Sequence, residues 1–245
     1  MRPEIIPAER HQRSGDRQFR GFPCTTSLLD FVLMRHLALL PFGLALCAGI
    51  PATASAAELW NGRDFSGWEF VATPATDITS VCHARAGVLA ADGQPIGYIA
   101  TTIAYASYRL HVEWRWTGKP GNGGVLVHIS SGPKDRQWPV CFQVQWKNAA
   151  VGDLLPMVGA SFAEPQSTPP GAKTPQLNHS APDSERQVGE WNACDVVCRG
   201  STIEVTVNGI RQNRVSGLSV TEGKVGIQLE GTPFELRNLR LTLLE

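Results

Sequence analysis

Apolar residues in this chain recur at every second position in short runs, and no long stretch carries a helical period. Along residues 108–116 the even positions Tyr108, Leu110, Val112, Trp114 and Trp116 are apolar, whereas Arg109, His111, Glu113 and Arg115 are polar. Side chains two apart on an extended strand share a face, so this run predicts a half-buried strand. Ile203, Val205 and Val207 alternate with Thr202, Glu204 and Thr206 and lead straight into Asn208-Gly209, a hairpin-turn signal. Val225, Ile227 and Leu229 repeat the pattern. In the last segment Phe234 and Leu236 lie on one parity and Leu239, Leu241 and Leu243 on the other, which predicts a bulge near Arg237-Asn238. Further strand-like runs fall around residues 78–82, 88–90, 98–102, 125–129, 140–146 and 196–197, separated by Gly, Pro or Asn. Many short strands with frequent turn signals predict an all-β sandwich or barrel.

Two segments break the pattern. Residues 161–187 carry Pro165, Pro169, Pro170, Pro175 and Pro182 with few large apolar side chains, and a loop of that length in a compact domain borders a site or is a surface insertion. Near the start, Met34-Arg35-His36 precedes an apolar run over residues 37–50 and then Ala54-Ser55-Ala56, the order of a secretory signal peptide. Cleavage is expected after Ala56, giving a periplasmic or secreted protein. The run is short for a transmembrane anchor, which needs roughly 20 apolar residues. Residues 1–33 fit no part of such a leader and read as an over-extended start, so residues 57–245 are expected to form a single domain.

Composition narrows the partners. Lys and Arg balance Asp and Glu for a formal net charge of +0, with no basic stripe, so nucleic acid and anionic membrane surfaces are poor partners. Cys82, Cys141, Cys194 and Cys198 lack the paired C-x-x-C spacing of structural zinc sites. They read as small buried residues, although a bond of Cys194 or Cys198 to Cys82 or Cys141 stays open.

Several motifs in order carry a family resemblance: L-W-N-G-R-D-F-S-G-W from Leu59, Y-R-L-H-V-E-W-R-W from Tyr108, G-N-G-G-V-L-V-H from Gly121, F-Q-V-Q from Phe142, G-E-W-N from Gly189, and G-K-V-G-I-Q-L-E-G from Gly223. Over residues 58–245 the chain resembles the 3-keto-disaccharide hydrolase family. The resemblance implies a concanavalin A-like jelly-roll β-sandwich of two antiparallel sheets, and 3-keto-sugars or oligosaccharides as partners. It also implies cleavage of 3-keto-glycosides by elimination across carbons 1 and 2, followed by hydration. A non-catalytic, lectin-like carbohydrate-binding module is the alternative. Two positions depart from the family pattern: Gln143 stands where relatives often carry Glu, and Gly123 where they often carry Ser. Glutamine does not titrate, so an acid or base role at that position is lost.

Candidate site residues follow from parity and resemblance together. If residues 108–116, 125–129 and 140–146 were neighbours in one sheet, with Val125, Val127 and Ile129 inward, Glu113, Arg115, His128, Gln143 and Gln145 would share one polar face. His128, after the Gly-rich turn, or Asp153 would then serve as general base, with Glu113 as a second acid, base or ligand. Arg115 would stabilise an enolate; Asn122, Gln143 and Gln145 would hold sugar hydroxyls; Trp138 would stack on a pyranose ring. A divalent metal held by His and carboxylate fits the same set. In G-E-W-N, Trp191 is expected to plug the core and Asn192 to pin a turn.

Overall fold

Alternating side chains give each strand one face to bury, and two sheets bury those faces against each other. The structure, a computed structural model, describes residues 57–245. The leader expected at residues 34–56 and the segment before it lie outside the described residues. Fourteen strands are present among the described residues: β1 (Ala57–Glu58), β2 (Trp68–Ala72), β3 (Cys82–Arg85), β4 (Val88–Ala91), β5 (Gly97–Thr101), β6 (Tyr108–Trp116), β7 (Gly123–Asp135), β8 (Trp138–Gln145), β9 (Leu154–Met157), β10 (Asn192–Arg199), β11 (Thr202–Val207), β12 (Ile210–Val215), β13 (Lys224–Leu229) and β14 (Phe234–Leu243). Sheet A runs β12-β11-β10-β6-β14-β4-β3, with β1 on β14, and sheet B runs β2-β5-β13-β7-β8-β9. All pairings are antiparallel.

The core lies between the sheets. From sheet A it takes the even positions of β6 with Cys194, Val196, Cys198, Ile203, Val205, Val207, Phe234 and Leu236; from sheet B it takes Val125, Val127, Phe142, Val144, Val225, Ile227 and Leu229. Trp114 of β6 stacks on Trp146, just past β8, with centroids 4.6 Å apart and ring planes 1° from parallel. Phe234 meets the Trp146 ring edge-on at 6.4 Å. Such pairs add about 0.5–1.5 kcal/mol to the burial of their area. The four cysteines are buried free thiols, and burial raises Cys82, Cys194 and Cys198 to about 12.

The expected hairpin closes at Asn208 (φ 49°) and Gly209 (φ 81°), and Asn208 then ties the turn down. Its Oδ1 accepts from the Ala193 N–H at 2.8 Å, and its Nδ2 donates to Ser184 O and to Asn192 Oδ1. Asn192 also accepts from the Arg186 N–H, so it pins a turn as expected. The bulge in β14 falls between Arg237 and Arg240, with Asn238 at φ 53°, and it returns Leu239 and Leu241 to the core.

Four expectations are corrected. The runs 108–116, 125–129 and 140–146 do not share a sheet: β6 sits in sheet A between β10 and β14, whereas β7 and β8 pair in sheet B. Residues 78–82 open as a 3-10 turn, Ile78–Ser80, capped by Asp77, and only Cys82 begins a strand. Trp191 does not plug the core. It lies against the outer face of sheet A, where the guanidiniums of Arg115 and Arg237 sit 4.6 and 4.1 Å from its ring centre. Ile129 leaves the core as well, because β7 bulges between Val127 and Ser131 with His128 at φ 53°. The extra residue reverses the parity beyond it. Ile129 therefore packs outside sheet B with Tyr98, Ala100, Leu126 and Cys141.

Candidate functional site

The strand register of sheet B stacks polar side chains in rows on its outer face. Gly124 of β7 pairs with Gln228 of β13 on one side and with Gln145 of β8 on the other. One row along, Leu126 pairs with Gly226 and with Gln143, and Gln143 pairs with Leu155 of β9. The three glutamines interlock. Gln143 Nε2 donates to Gln228 Oε1 at 2.6 Å and to Gln145 Oε1 at 2.9 Å, and all three side chains are buried. Gly124 makes room for this ladder: a Cβ there would stand 2.5 Å from Val144 O and 3.1 Å from the Gln143 side chain.

Above the ladder opens a cavity of about 740 Å³. Its floor is amide, Leu155 and Met157 form one side, and Trp138 and Arg136 stand at the end of the β7–β8 hairpin. The volume falls in the range of small-molecule sites, and the lining is mostly polar. The proline-rich segment supplies the far wall through Gln166, Lys173, Thr174, Pro175 and Gln176. It is held there by the backbone pair between Leu154 and Leu177, at 2.9 and 2.8 Å, and by Asp153. Residues 161–187 thus border the cavity, as one of their two expected roles required.

The candidate residues separate into two groups. Asn122, Trp138, Gln143 and Gln145 line the cavity. Glu113, Arg115, His128 and Asp153 are not brought to it. Glu113 and Arg115 lie on the outer face of sheet A, the other side of the sandwich. Glu113 accepts from Arg237 Nε at 2.6 Å and from Asn238 Nδ2 at 2.7 Å, and Arg115 pairs with Glu235 at 2.6 Å. Burial acts to raise the Glu113 carboxyl, but the bonds from Asn238 and Arg237 outweigh it and hold it below its ordinary value.

His128 lies in the interior, fully buried, because its positive φ turns the side chain inward at the bulge. The Tyr108 ring stands 5.7 Å from it, and neither imidazole nitrogen has a partner. Burial lowers it to about 4, which keeps it neutral at ordinary pH. Asp153 is buried behind the cavity wall. One of its oxygens accepts from the His179 backbone N–H at 2.7 Å and contacts His179 Nδ1 at 2.6 Å; the other accepts from Gln176 Nε2 at 3.4 Å.

Among the cavity residues given no site role from the sequence are Gln228, Glu230 and Lys147, the last of them placed on the polar face but assigned no function. The signal for the first two was present, since Gln228 and Glu230 share the parity opposite Val225, Ile227 and Leu229. Glu230 is half-buried, and burial raises its carboxyl above the ordinary value while Lys147 opposes the shift. Among the described residues no three His, Cys, Asp or Glu side chains converge as metal ligands. The residues present do not fit the expected divalent ion, and no step below passes through one.

The two antiparallel sheets form a concanavalin A-like jelly-roll sandwich, a fold shared with the solved structures below. The chain belongs to the 3-keto-alpha-glucoside-1,2-lyase-like domain family, which matches residues 55–242 and places it among carbohydrate-active proteins. Solved structures share the fold. One, from Parabacteroides distasonis and provisionally described as a glycosyl hydrolase, is 19% identical with a TM-score of 0.58, over 78% of this chain and 95% of that one. The carbohydrate-binding module CBM66 from Bacillus subtilis is 11% identical with a TM-score of 0.51, over 72% and 95%. LamAcat from Zobellia galactanivorans is 10% identical with a TM-score of 0.51, over 77% and 96%. These identities establish a shared fold, and a fold alone does not assign an activity. No curated protein matches the chain. Among the described residues no helix is long and apolar enough to cross a membrane.

Proposed function

We propose that this protein is an exported enzyme that cleaves 3-keto-glycosides by elimination across carbons 1 and 2, and that the reaction takes place in the cavity on sheet B. A ketone at carbon 3 acidifies the proton on carbon 2. Its removal gives an enolate, whose collapse expels the group on carbon 1 and leaves a 2-hydroxy-3-keto-glucal. Water added to carbon 1 of that product completes a net hydrolysis. The observation that carries the reading is the interlocked ladder of Gln143, Gln145 and Gln228 beneath a cavity that Trp138 lines, in a member of a keto-glucoside lyase-like family. Amides both donate and accept, as sugar hydroxyls require, and an indole offers a ring face for stacking. Export rests on the leader pattern of residues 34–56.

Incubating the purified protein with 3-keto-glucosides, with chelator and with added divalent ions, tests the activity. The expected product is the glucal or the free 3-keto-sugar together with the released aglycone. Absence of product under every condition would refute the reading. The second reading, a binding module, is favoured by one observation: the centre of the floor holds the neutral amide Gln143 in place of a carboxylate. Calorimetric binding of unmodified oligosaccharides without turnover of any keto-sugar would select it.

A further inference from the structure

The ladder continues by one row at the end nearest the β6–β7 connection, and that row has a different chemistry. Leu229 of β13 pairs with Gly123, and the Trp146 N–H donates to Gly123 O at 2.9 Å. The next positions in register are Glu230, Asn122 and Lys147, and the Asn148 N–H, donating to Gly121 O at 3.1 Å, keeps the strands paired beyond them. Residues two apart share a face and neighbouring strands lie about 4.8 Å apart, so carboxylate, amide and ammonium stand abreast on the outer side of sheet B. All three line the cavity. Asn122 Oδ1, in the middle, is shut off from solvent and has no hydrogen-bond partner. A buried acceptor without a donor is costly, and a turn of the Asn122 side chain toward the cavity would let a ligand hydroxyl satisfy it.

We infer that Glu230 is the catalytic residue that removes the proton from carbon 2 of the keto-sugar, with Lys147 stabilising the enolate oxygen and Asn122 accepting a sugar hydroxyl between them. The assignment rests on the elimination reading above. The carbon 2–hydrogen electron pair moves to form a carbon 2–carbon 3 double bond, the carbonyl becomes an enolate, and the Glu230 carboxylate becomes a carboxylic acid. The enolate pair then returns, re-forming the carbonyl, making the carbon 1–carbon 2 double bond and breaking the bond from carbon 1 to the aglycone oxygen. That oxygen takes the proton from Glu230, which ends as the carboxylate it began as. A partly desolvated carboxylate with a raised proton affinity is a stronger base than one in water, and an ammonium beside a developing oxyanion lowers the barrier at the point where charge appears. Gln143 then has no acid or base duty to fulfil, because the titrating group sits two rows away.

Proton exchange separates this role from a structural one. In deuterium oxide the wild type is expected to exchange the carbon 2 proton of a 3-keto-glucoside and to release the aglycone, both followed by NMR. E230Q should lose exchange and turnover together by about 100-fold or more, with KM changed by no more than about threefold, and E230D should recover part of the rate. The acid limb of the wild-type kcat profile should lie above the ordinary carboxylate range, and K147M should move it to higher pH by removing the charge that favours the carboxylate. E230Q that exchanges and cleaves at near wild-type rates would overturn the assignment while leaving elimination standing. If E230Q melts early, an acid limb that K147M leaves unmoved overturns it instead. A wild type that neither exchanges nor cleaves any keto-glucoside would remove the elimination reading, and this assignment with it.

Discussion

His128 combines a left-handed backbone, complete burial and two unpartnered ring nitrogens, each of which costs stability. Its position in the sequence, ending an apolar strand after a glycine-rich turn, was legible; its direction was not. One bulge residue reverses the side chain, and nothing local in V-L-V-H-I-S fixes where a bulge falls. The energetic consequence has a definite sign. The folded-state value of about 4 lies below the ordinary 6.5, so the unfolded chain takes up the proton first on acidification. The stabilisation is present above the unfolded value and is lost as pH falls towards 4, by an amount on the order of 3 kcal/mol. H128F is expected to flatten the dependence of Tm on pH across that window while keeping keto-glycoside turnover. Loss of turnover with an unchanged melt would return His128 to the site. Glu230 has the opposite linkage: its raised proton affinity lowers folded-state stability as pH rises from the unfolded value through the folded one. E230Q should therefore melt no lower than wild type at neutral pH, as calorimetry can establish.

At the scale of elements, strand parity gave the faces of β6, β11, β13 and β14 because side-chain alternation is a local property. Sheet membership was not legible, because β6 finds its partners β10 and β14 far along the chain. Reading β6 as a neighbour of β7 and β8 grouped Glu113 and Arg115 with residues that lie on the other sheet. The proline-rich segment was legible as a long loop, yet its anchor was not, since Asp153 meets His179 twenty-six positions away. D153A should leave the His179 N–H and ring without a partner, costing about 1–3 kcal/mol. Because the segment forms a cavity wall, KM should rise more than kcat falls, and limited proteolysis should cut faster within residues 166–176. A collapse of kcat with KM unchanged would instead make Asp153 a reacting group. Gly124→Val tests the floor, since a side chain there meets Val144 O and Gln143; sugar binding should be lost with the ladder.

For the whole molecule, the sequence indicated an all-β domain and the resemblance indicated the sandwich, both of which the two antiparallel sheets realise. The sandwich has two outer faces with opposite chemistry. Sheet A carries paired ions, Glu113–Arg237, Arg115–Glu235 and His111–Asp195, already satisfied by one another. Partly exposed pairs of that kind contribute little and recognise little. Sheet B carries the amide ladder, the Glu230–Asn122–Lys147 row and the cavity. The central claim is that sugar chemistry belongs to sheet B alone. Steady-state kinetics on one 3-keto-glucoside, with Q228A and E113Q measured side by side, tests it most directly. Q228A is expected to lose about tenfold or more in kcat/KM, the equivalent of about 1.4 kcal/mol or more of transition-state stabilisation, and E113Q to stay within about twofold of wild type. An E113Q variant that loses activity while Q228A retains it would place the site on sheet A and contradict the account.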